Sequence, residues 1–128
     1  MFNYKNEAAF SKALVAHLRK QNWFVQRIET GSTGRGVPDI YAITPDGSAW
    51  WLELKRVHKT VKGRHFIDVP WRPGQQAWLH TAARMYKQDV CTLVACDDCI
   101  LKISHFKIYK NDCVPLNECA KIPSISAL

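Results

Sequence analysis

Residues 36–57 have the sequence GVPDIYAITPDGSAWWLELKRV, and this stretch decides the fold. It contains two runs typical of β-strands, at 37–44 and 48–57, on either side of Pro45-Asp46-Gly47. Proline, aspartate and glycine in succession are typical of a tight turn between two strands. The stretch therefore predicts a β-hairpin in the middle of the chain.

Three charged side chains of this hairpin are candidates for catalysis. Successive side chains of a strand alternate between its faces, so Glu53 and Lys55 share one face and the leucines between and before them point to the core. Asp39 begins the neighbouring strand, directly after a proline. If the strands pair, two carboxylates and an ammonium converge. The alternative is an exposed ion pair between Glu53 and Lys55, which would add little stability.

Converging carboxylates and a lysine suit the hydrolysis of phosphodiesters. Carboxylate oxygens bind hard divalent cations such as Mg²⁺, and the bound cation lowers the pKa of a water and neutralises charge on a phosphate. The lysine can orient or deprotonate that water, or stabilise the developing charge. We therefore predict a metal site at Asp39 and Glu53, with Lys55 acting on the attacking water.

The rest of the chain predicts a mixed α/β domain. The pattern indicates helices at 5–21 and 74–88, further strands at 23–28, 91–96 and 99–103, and a glycine-rich loop at 31–36. Asn3 or Asn6 is available to cap the first helix. The order predicts a central sheet flanked by helices in a single domain, residues 1–128. The basic connector 56–72 has no clear period, and residues 114–128 are predicted as a tail, either loosely ordered or packed on a partner.

The charge balance favours a polyanionic partner, either nucleic acid or an anionic membrane surface. Lysine and arginine number 18 against 11 acidic residues, a formal net charge of +7. Much of the surplus lies near the hairpin, and the predicted phosphate contacts are Arg35, Arg56, Lys59, Lys62 and Arg64. The aromatic residues lie mostly in predicted strands and helices, so we expect them in the core and not on a base-stacking surface.

Composition limits which type of protein this chain can be and in which cellular compartment we expect it. Apolar residues make up 47% of the chain, which argues against a disordered protein. No stretch approaches the roughly 20 apolar residues of a membrane span, and the N-terminal sequence does not resemble a signal peptide. Five cysteines, an odd number, together with the missing signal peptide indicate reduced thiols and a cytoplasmic protein. We expect no membrane partner. One alternative use of them is a zinc site formed by Cys96, Cys99, Cys113 and Cys119; the other is buried or free thiols.

The segments GVPDIYAI, WWLELK and PGQQAWL resemble the motifs of the PD-(D/E)XK nuclease superfamily. Within it the chain is most similar to the small stand-alone VRR-NUC type of phages and bacteria, over about residues 5–100. The resemblance implies a restriction-endonuclease-like αβββαβ core and DNA cleavage with Mg²⁺, or with Mn²⁺ in its place. It matches Asp39 and Glu53 to metal ligands, Lys55 to the catalytic lysine and Gln75 to the glutamine that begins the next helix.

Two of the matched positions stay open. Gln76 could take the place of Gln75, since the two are adjacent. Glu7 in the first helix matches a further acidic ligand of the family, but Glu29 near the glycine loop could replace it.

The predicted function is a metal-dependent DNA endonuclease in a bacterial or phage-infected cell. Relatives suggest branched DNA such as a four-way junction as the substrate, and two symmetric cuts would require a homodimer. The dimer surface could be the strand Cys99–Ile103 or the apolar tail residues Ile122, Ile125 and Leu128. The alternative function is a non-catalytic DNA-binding module that retains the nuclease fold.

Overall fold

Two α-helices and eight β-strands are present in the computed structural model, which describes residues 4–28 and 36–128. The helices are α1 (Glu7–Lys20) and α2 (Gln75–Arg84). The strands are β1 (Phe24–Arg27), β2 (Ile40–Ile43), β3 (Ala49–Arg56), β4 (Phe66–Asp68), β5 (Asp89–Ala95), β6 (Ile100–Ser104), β7 (Cys113–Pro115) and β8 (Ala120–Ile122). Single 3₁₀ turns lie at Lys110–Asp112, Leu116–Glu118 and Ile125–Ala127.

Six of the strands form one mixed sheet with the order β1-β2-β3-β5-β6-β8, and β4 and β7 form a separate pair. The predicted hairpin is present, with Ile40 of β2 opposite Leu52 of β3. On its other side β3 pairs with β5 in parallel, and Glu53 lies opposite Thr92. The strand that carries Glu53 and Lys55 is therefore interior to the sheet, with a hydrogen-bonded neighbour on each side.

The two helices pack on opposite faces of the sheet. Asn6 caps α1 by accepting a hydrogen bond from the Ala9 N–H at 2.9 Å. α1 buries Phe10 and Leu14 in a core shared with Leu52 and Leu54, the inward-facing residues of β3. α2 packs with Leu79, Ala82 and Ala83 against Val90 of β5. No helix in the described ranges is long and apolar enough to cross a membrane.

The connector and the tail contain structure that the sequence pattern did not predict. The connector includes β4, which pairs with β7 so that Ile67 lies opposite Val114. The tail adds β8 to the main sheet beside β6 and closes on a 3₁₀ turn at Ile125–Ala127. Each of these strands has only three residues, too short to show an alternating pattern.

Both surfaces predicted to join two copies of the chain are used within one copy. β8 covers the edge of β6, so Cys99–Ile103 is not a free edge. Ile122, Ile125 and Leu128 pack against the core beneath α1. The tail therefore folds over its own domain, and a dimer would need a different surface.

Candidate active site

Three carboxylates from three elements meet at one point. Glu7 is the first residue of α1, Asp39 directly precedes β2, and Glu53 lies in β3. One oxygen atom from each lies within 4.8 Å of the other two. Across residues 4–28 and 36–128, no other set of three histidine, cysteine, aspartate or glutamate side chains converges in this way. The alternative to Glu7, Glu29, lies outside the described residues.

Asp39 is fixed across the hairpin. Its Oδ2 accepts a hydrogen bond from the Leu54 N–H at 2.9 Å, and its carbonyl oxygen accepts one from the Ile28 N–H at 2.8 Å. These bonds hold the side chain next to Glu53, one residue before Leu54. The hairpin pairing predicted from the sequence is therefore what brings the two carboxylates together.

Glu53 and Lys55 are almost fully buried, with 1% and 2% of their surfaces exposed. The Lys55 Nζ atom lies 3.3 Å from Glu53 Oε2, and the Gln75 Nε2 atom donates a hydrogen bond to that same oxygen at 3.0 Å. The other oxygen, Glu53 Oε1, is buried without a hydrogen-bond partner. A buried acceptor without a partner is costly, and a cation bound there would satisfy it. With Asp39 and Glu7 beside it, this oxygen fits the all-oxygen donor set that Mg²⁺ prefers.

Burial and mutual repulsion raise the pKa values of two of these carboxyl groups. Burial raises the pKa of Glu53 to about 8, with a further contribution from the charge of Asp39, while Lys55 opposes the rise. Burial also raises the pKa of Glu7; Lys55 and Arg72 oppose the rise and Asp39 adds to it. Near neutral pH the site therefore retains a proton that a divalent cation would displace. Arg72 is a neighbour of the site that the sequence analysis missed.

The first turn of α2 decides between the two adjacent glutamines. Gln75 lies in the site, and its Oε1 accepts a hydrogen bond from the Arg72 N–H at 2.8 Å. Gln76 points to a different part of the chain, where it donates to Asp112 Oδ1 at 2.9 Å and accepts from the Tyr109 N–H at 2.7 Å. The choice of Gln75 agrees with the geometry, and Gln76 has a structural role.

Two glycines in close contact join the segments that carry Asp39 and Gln75. A Cβ atom on Gly36 would lie 2.4 Å from the carbonyl oxygen of Gly74, too close for any side chain. Both glycines have positive φ, +83° and +89°, in the left-handed region that favours glycine. The contact sets the spacing between the start of β2 and the start of α2.

Arg56 is not available to DNA, contrary to the prediction. Its side chain is 5% exposed and its guanidinium donates to Asp97 Oδ1 at 2.8 Å. It also donates to the carbonyl oxygens of Tyr4, Val57 and Ala95 at 2.7–3.0 Å. Arg56 therefore joins the end of β3 to the turn after β5 and to the segment before α1.

Three of the four remaining predicted phosphate contacts lie on a loop that is anchored to the domain. Lys59, Lys62 and Arg64 are exposed, and Arg35 lies outside the described residues. The Asp98 carboxylate accepts hydrogen bonds from the Val61 and Lys62 N–H groups at 2.9–3.1 Å. The loop thus presents its cations from a backbone that is held in place.

The Cys96–Cys99 segment forms a hairpin turn between β5 and β6. The Cys96 N–H donates to the Cys99 carbonyl oxygen at 2.9 Å, and the two aspartates between them hold Arg56 and the basic loop. Within the described residues, neither Cys96 nor Cys99 belongs to a group of three converging histidine, cysteine, aspartate or glutamate ligands. All five cysteines are free thiols. The CxxC spacing therefore has an explanation that involves no zinc.

The fold is similar to that of a solved structure, Hjc, a Holliday junction resolvase from the archaeal hyperthermophile Archaeoglobus fulgidus. The TM-score is 0.59 at 14% sequence identity, and the match covers 94% of this chain and 90% of that chain. No family model and no curated protein matches the sequence. The likeness confirms the predicted restriction-endonuclease-like αβββαβ fold, with a central mixed sheet flanked by two helices. Membership of the PD-(D/E)XK superfamily stays a prediction from the sequence motifs. The narrower VRR-NUC assignment stays a prediction.

Proposed function

We propose that the protein is a metal-dependent DNA endonuclease whose site is formed by Glu7, Asp39, Glu53, Lys55 and Gln75. The observation that carries the proposal is the unpartnered, buried Glu53 Oε1 within a group of three converging carboxylates. A purely structural ion pair would need neither the third carboxylate nor a free oxygen. Mg²⁺ is the cation we propose, with Mn²⁺ as a substitute.

The side chains divide the work of such a site between them. Glu7, Asp39 and Glu53 would hold the cation, which when bound activates a water and neutralises charge on the phosphate. Gln75 orients Glu53 by donating to Oε2, and Oε1, which has no hydrogen-bond partner, would be free to bind the cation. Lys55 Nζ lies 3.3 Å from that same carboxylate, where it can orient the attacking water or stabilise the phosphate charge that develops.

DNA is the proposed partner because the site suits phosphodiester chemistry and exposed cations follow the strand that carries Lys55. Lys59, Lys62 and Arg64 project from the anchored loop that follows the strand of Lys55, and Arg72 lies near Glu7. Arg35 remains a proposed contact from the sequence. These cations would contact phosphates and so bind DNA without regard to its sequence.

Branched DNA is the proposed substrate class, supported by the likeness in fold to a Holliday junction resolvase. Cutting a four-way junction symmetrically takes two sites, so we propose a homodimer on the DNA. Because β8 and the tail are packed within the domain, the dimer surface would lie elsewhere.

A panel of labelled DNAs tests the activity. Four-way junctions, flaps, single strands and plain duplexes are incubated with the protein in Mg²⁺, in Mn²⁺ or in EDTA. We expect cleavage only with a cation, with the junction or another branched form cut fastest. Asp39→Ala should lower the cleavage rate about 100-fold or more, because a bound cation contributes several kcal/mol to the stabilisation of the transition state.

The matched control is Asp46→Ala, which removes an exposed carboxylate from the opposite end of the same hairpin. It should cleave like the wild type. If the folded protein binds DNA yet cuts none of the panel with either cation, the alternative of a non-catalytic DNA-binding module is correct.

A further inference from the structure

We propose that Tyr41, Trp51 and Trp78 form a base-stacking surface beside the acidic site, and that this surface takes an unpaired base of the DNA strand being cut. The inference rests on the proposed function and deepens it, because it assigns the preference for DNA with unpaired bases to particular side chains. We call these three residues the aromatic surface.

Two of the three rings lie on the face of the sheet that carries the acidic site. Trp51 and Glu53 are two residues apart in β3, so their side chains point to the same face. Tyr41 lies directly opposite Trp51 in the antiparallel pair, and directly opposite residues share a face. The third ring, Trp78, comes from α2, one turn after Gln75. β3 and α2, which carry Glu53 and Gln75, therefore each supply a ring as well, and Tyr41 follows Asp39 by two residues.

The rings are in contact with one another and are partly exposed. The centroids of Tyr41 and Trp51 are 4.7 Å apart, and those of Trp51 and Trp78 are 5.2 Å apart. All three side chains are half-buried, in contrast to Trp71, which is 7% exposed in the core. The expectation that the aromatic residues lie in the core holds in part, because Trp51 and Trp78 pack against the cluster of Leu79, Ala82, Ala83 and Val90. Each of the three side chains nevertheless keeps an exposed part, which a stacking surface requires.

The face beside the aromatic surface is open on the side of β1. α1 packs on the other face of the sheet, and α2 covers Val90 of β5, with Trp51 and Trp78 packed at the edge of that contact. Phe24 of β1 lies on the same face as Tyr41, since Gln26 is opposite Tyr41, and Phe24 is 57% exposed. A ligand that reaches the acidic site can therefore extend over Trp51 and Tyr41.

The spacing suits a DNA strand. Residues two apart in a β-strand are separated by about 6.6 Å, a distance that a DNA strand spans within about two nucleotides. A strand with a phosphate at the acidic site would thus bring the base of a nearby nucleotide over Trp51. Every base has a flat π face, so stacking is strong and independent of sequence, but a base within an intact duplex is not available for it.

The test compares binding to two DNAs in EDTA, where no cleavage can occur. Both are fluorescent duplexes with a single-stranded tail; one tail carries thymines and the other has the same phosphates without bases. We expect the wild type to bind the thymine tail about 5- to 150-fold more tightly by anisotropy. Tyr41→Leu and Trp51→Leu should abolish this ratio, and Trp51→Phe should retain most of it. Phe106→Leu, at an aromatic residue that is 64% exposed elsewhere, should leave it unchanged.

Several outcomes would overturn the proposal. Equal binding of the two tails by the wild type would do so, as would an unchanged ratio in folded Tyr41→Leu and Trp51→Leu. If these variants instead turn a dimer into a monomer in sedimentation, with the ratio intact, the face joins two copies of the chain. Thermal melts show whether each variant folds. If Trp51→Leu does not fold, the binding ratio of Tyr41→Leu alone decides the test. Because no metal is present, the result is independent of whether the cleavage panel shows activity.

Discussion

Replacing Glu53 by glutamine tests whether the acidic site is electrostatically costly to the folded protein. At neutral pH burial keeps the Glu53 carboxyl largely protonated, since its pKa is raised to about 8. A glutamine has nearly the same shape as a protonated glutamate, and its carbonyl can still accept from Gln75 and Lys55. The substitution therefore removes the titration of the side chain and little else.

The pH dependence follows from the number of protons bound in the two states. Below pH 4.5 the carboxyl is neutral in the folded and the unfolded chain, so its effect on stability is small. Between pH 4.5 and about 8 the unfolded chain has released the proton and the folded chain retains it, so the free energy of unfolding falls as pH rises. Each pH unit costs about 1.4 kcal/mol, so the wild type should lose about 3 kcal/mol between pH 5 and pH 7 relative to Glu53→Gln.

Urea unfolding in EDTA at pH 5, 6, 7 and 8 measures this difference. Glu53→Gln should be more stable than the wild type at pH 7 and nearly equal to it at pH 5. Added Mg²⁺ should then stabilise the wild type only, since the ionised carboxylate is its ligand. Glu118→Gln removes a surface carboxylate paired with Lys107 and should change stability by less than about 1 kcal/mol at every pH. A difference between wild type and Glu53→Gln that stays constant from pH 5 to pH 8 would refute the reasoning.

Two further predictions concern the segments around the site. Gly36→Ala should lower the free energy of unfolding, measured in urea, by about 2 kcal/mol more than Gly47→Ala. Both glycines have positive φ, but a Cβ atom at Gly36 would lie 2.4 Å from the Gly74 carbonyl oxygen, whereas one at Gly47 would have no atom within 4 Å. Equal losses of stability in the two variants would show that the backbone at Gly36 and Gly74 can move apart at little cost. Alanine at the three exposed loop cations, Lys59, Lys62 and Arg64, should reduce the slope of log affinity against log salt by up to ~0.9 for each lost phosphate contact. Lys20→Ala, at the far end of α1 from Glu7, should leave the slope unchanged, and an unchanged slope in the triple variant would show that the loop does not contact DNA.

The acidic site was predictable because it depends on local rules. The alternation of β3 and the turn at Pro45-Asp46-Gly47 are enough to place Asp39 beside Glu53 and Lys55. Local rules do not distinguish Gln75 from Gln76. Adjacent residues of a helix point about 100° apart, so the packing of α2 on the sheet determines which of the two side chains faces the site.

The errors of the sequence analysis all involve partners that are distant along the chain. Arg56 and Lys59 belong to the same basic run in the sequence. The Arg56 side chain is nevertheless buried, because it forms an ion pair with Asp97 in the turn after β5. The strands β4 and β8 find their partners in β7 and β6, which no local periodicity reveals. The partial exposure of Tyr41, Trp51 and Trp78 was not predicted, although Trp51 and Trp78 do pack against a core cluster, because strand positions alone do not show how much of a face a helix will cover.

The parallel pairing of β3 with β5 has a consequence for the order in which the chain assembles. β2 and β3 are joined by a short turn and can pair early. The pairing of β3 with β5, in which Trp50 lies opposite Asp89, requires the whole crossover that contains α2 to be closed first. Closing so long a connection costs chain entropy and delays contacts of high sequence separation. Until then we expect Glu53 and Lys55 to lie on an open strand edge with both charges hydrated. The burial that raises the pKa of Glu53 in the folded protein would then be completed only when β5 pairs with β3, after the hairpin has formed.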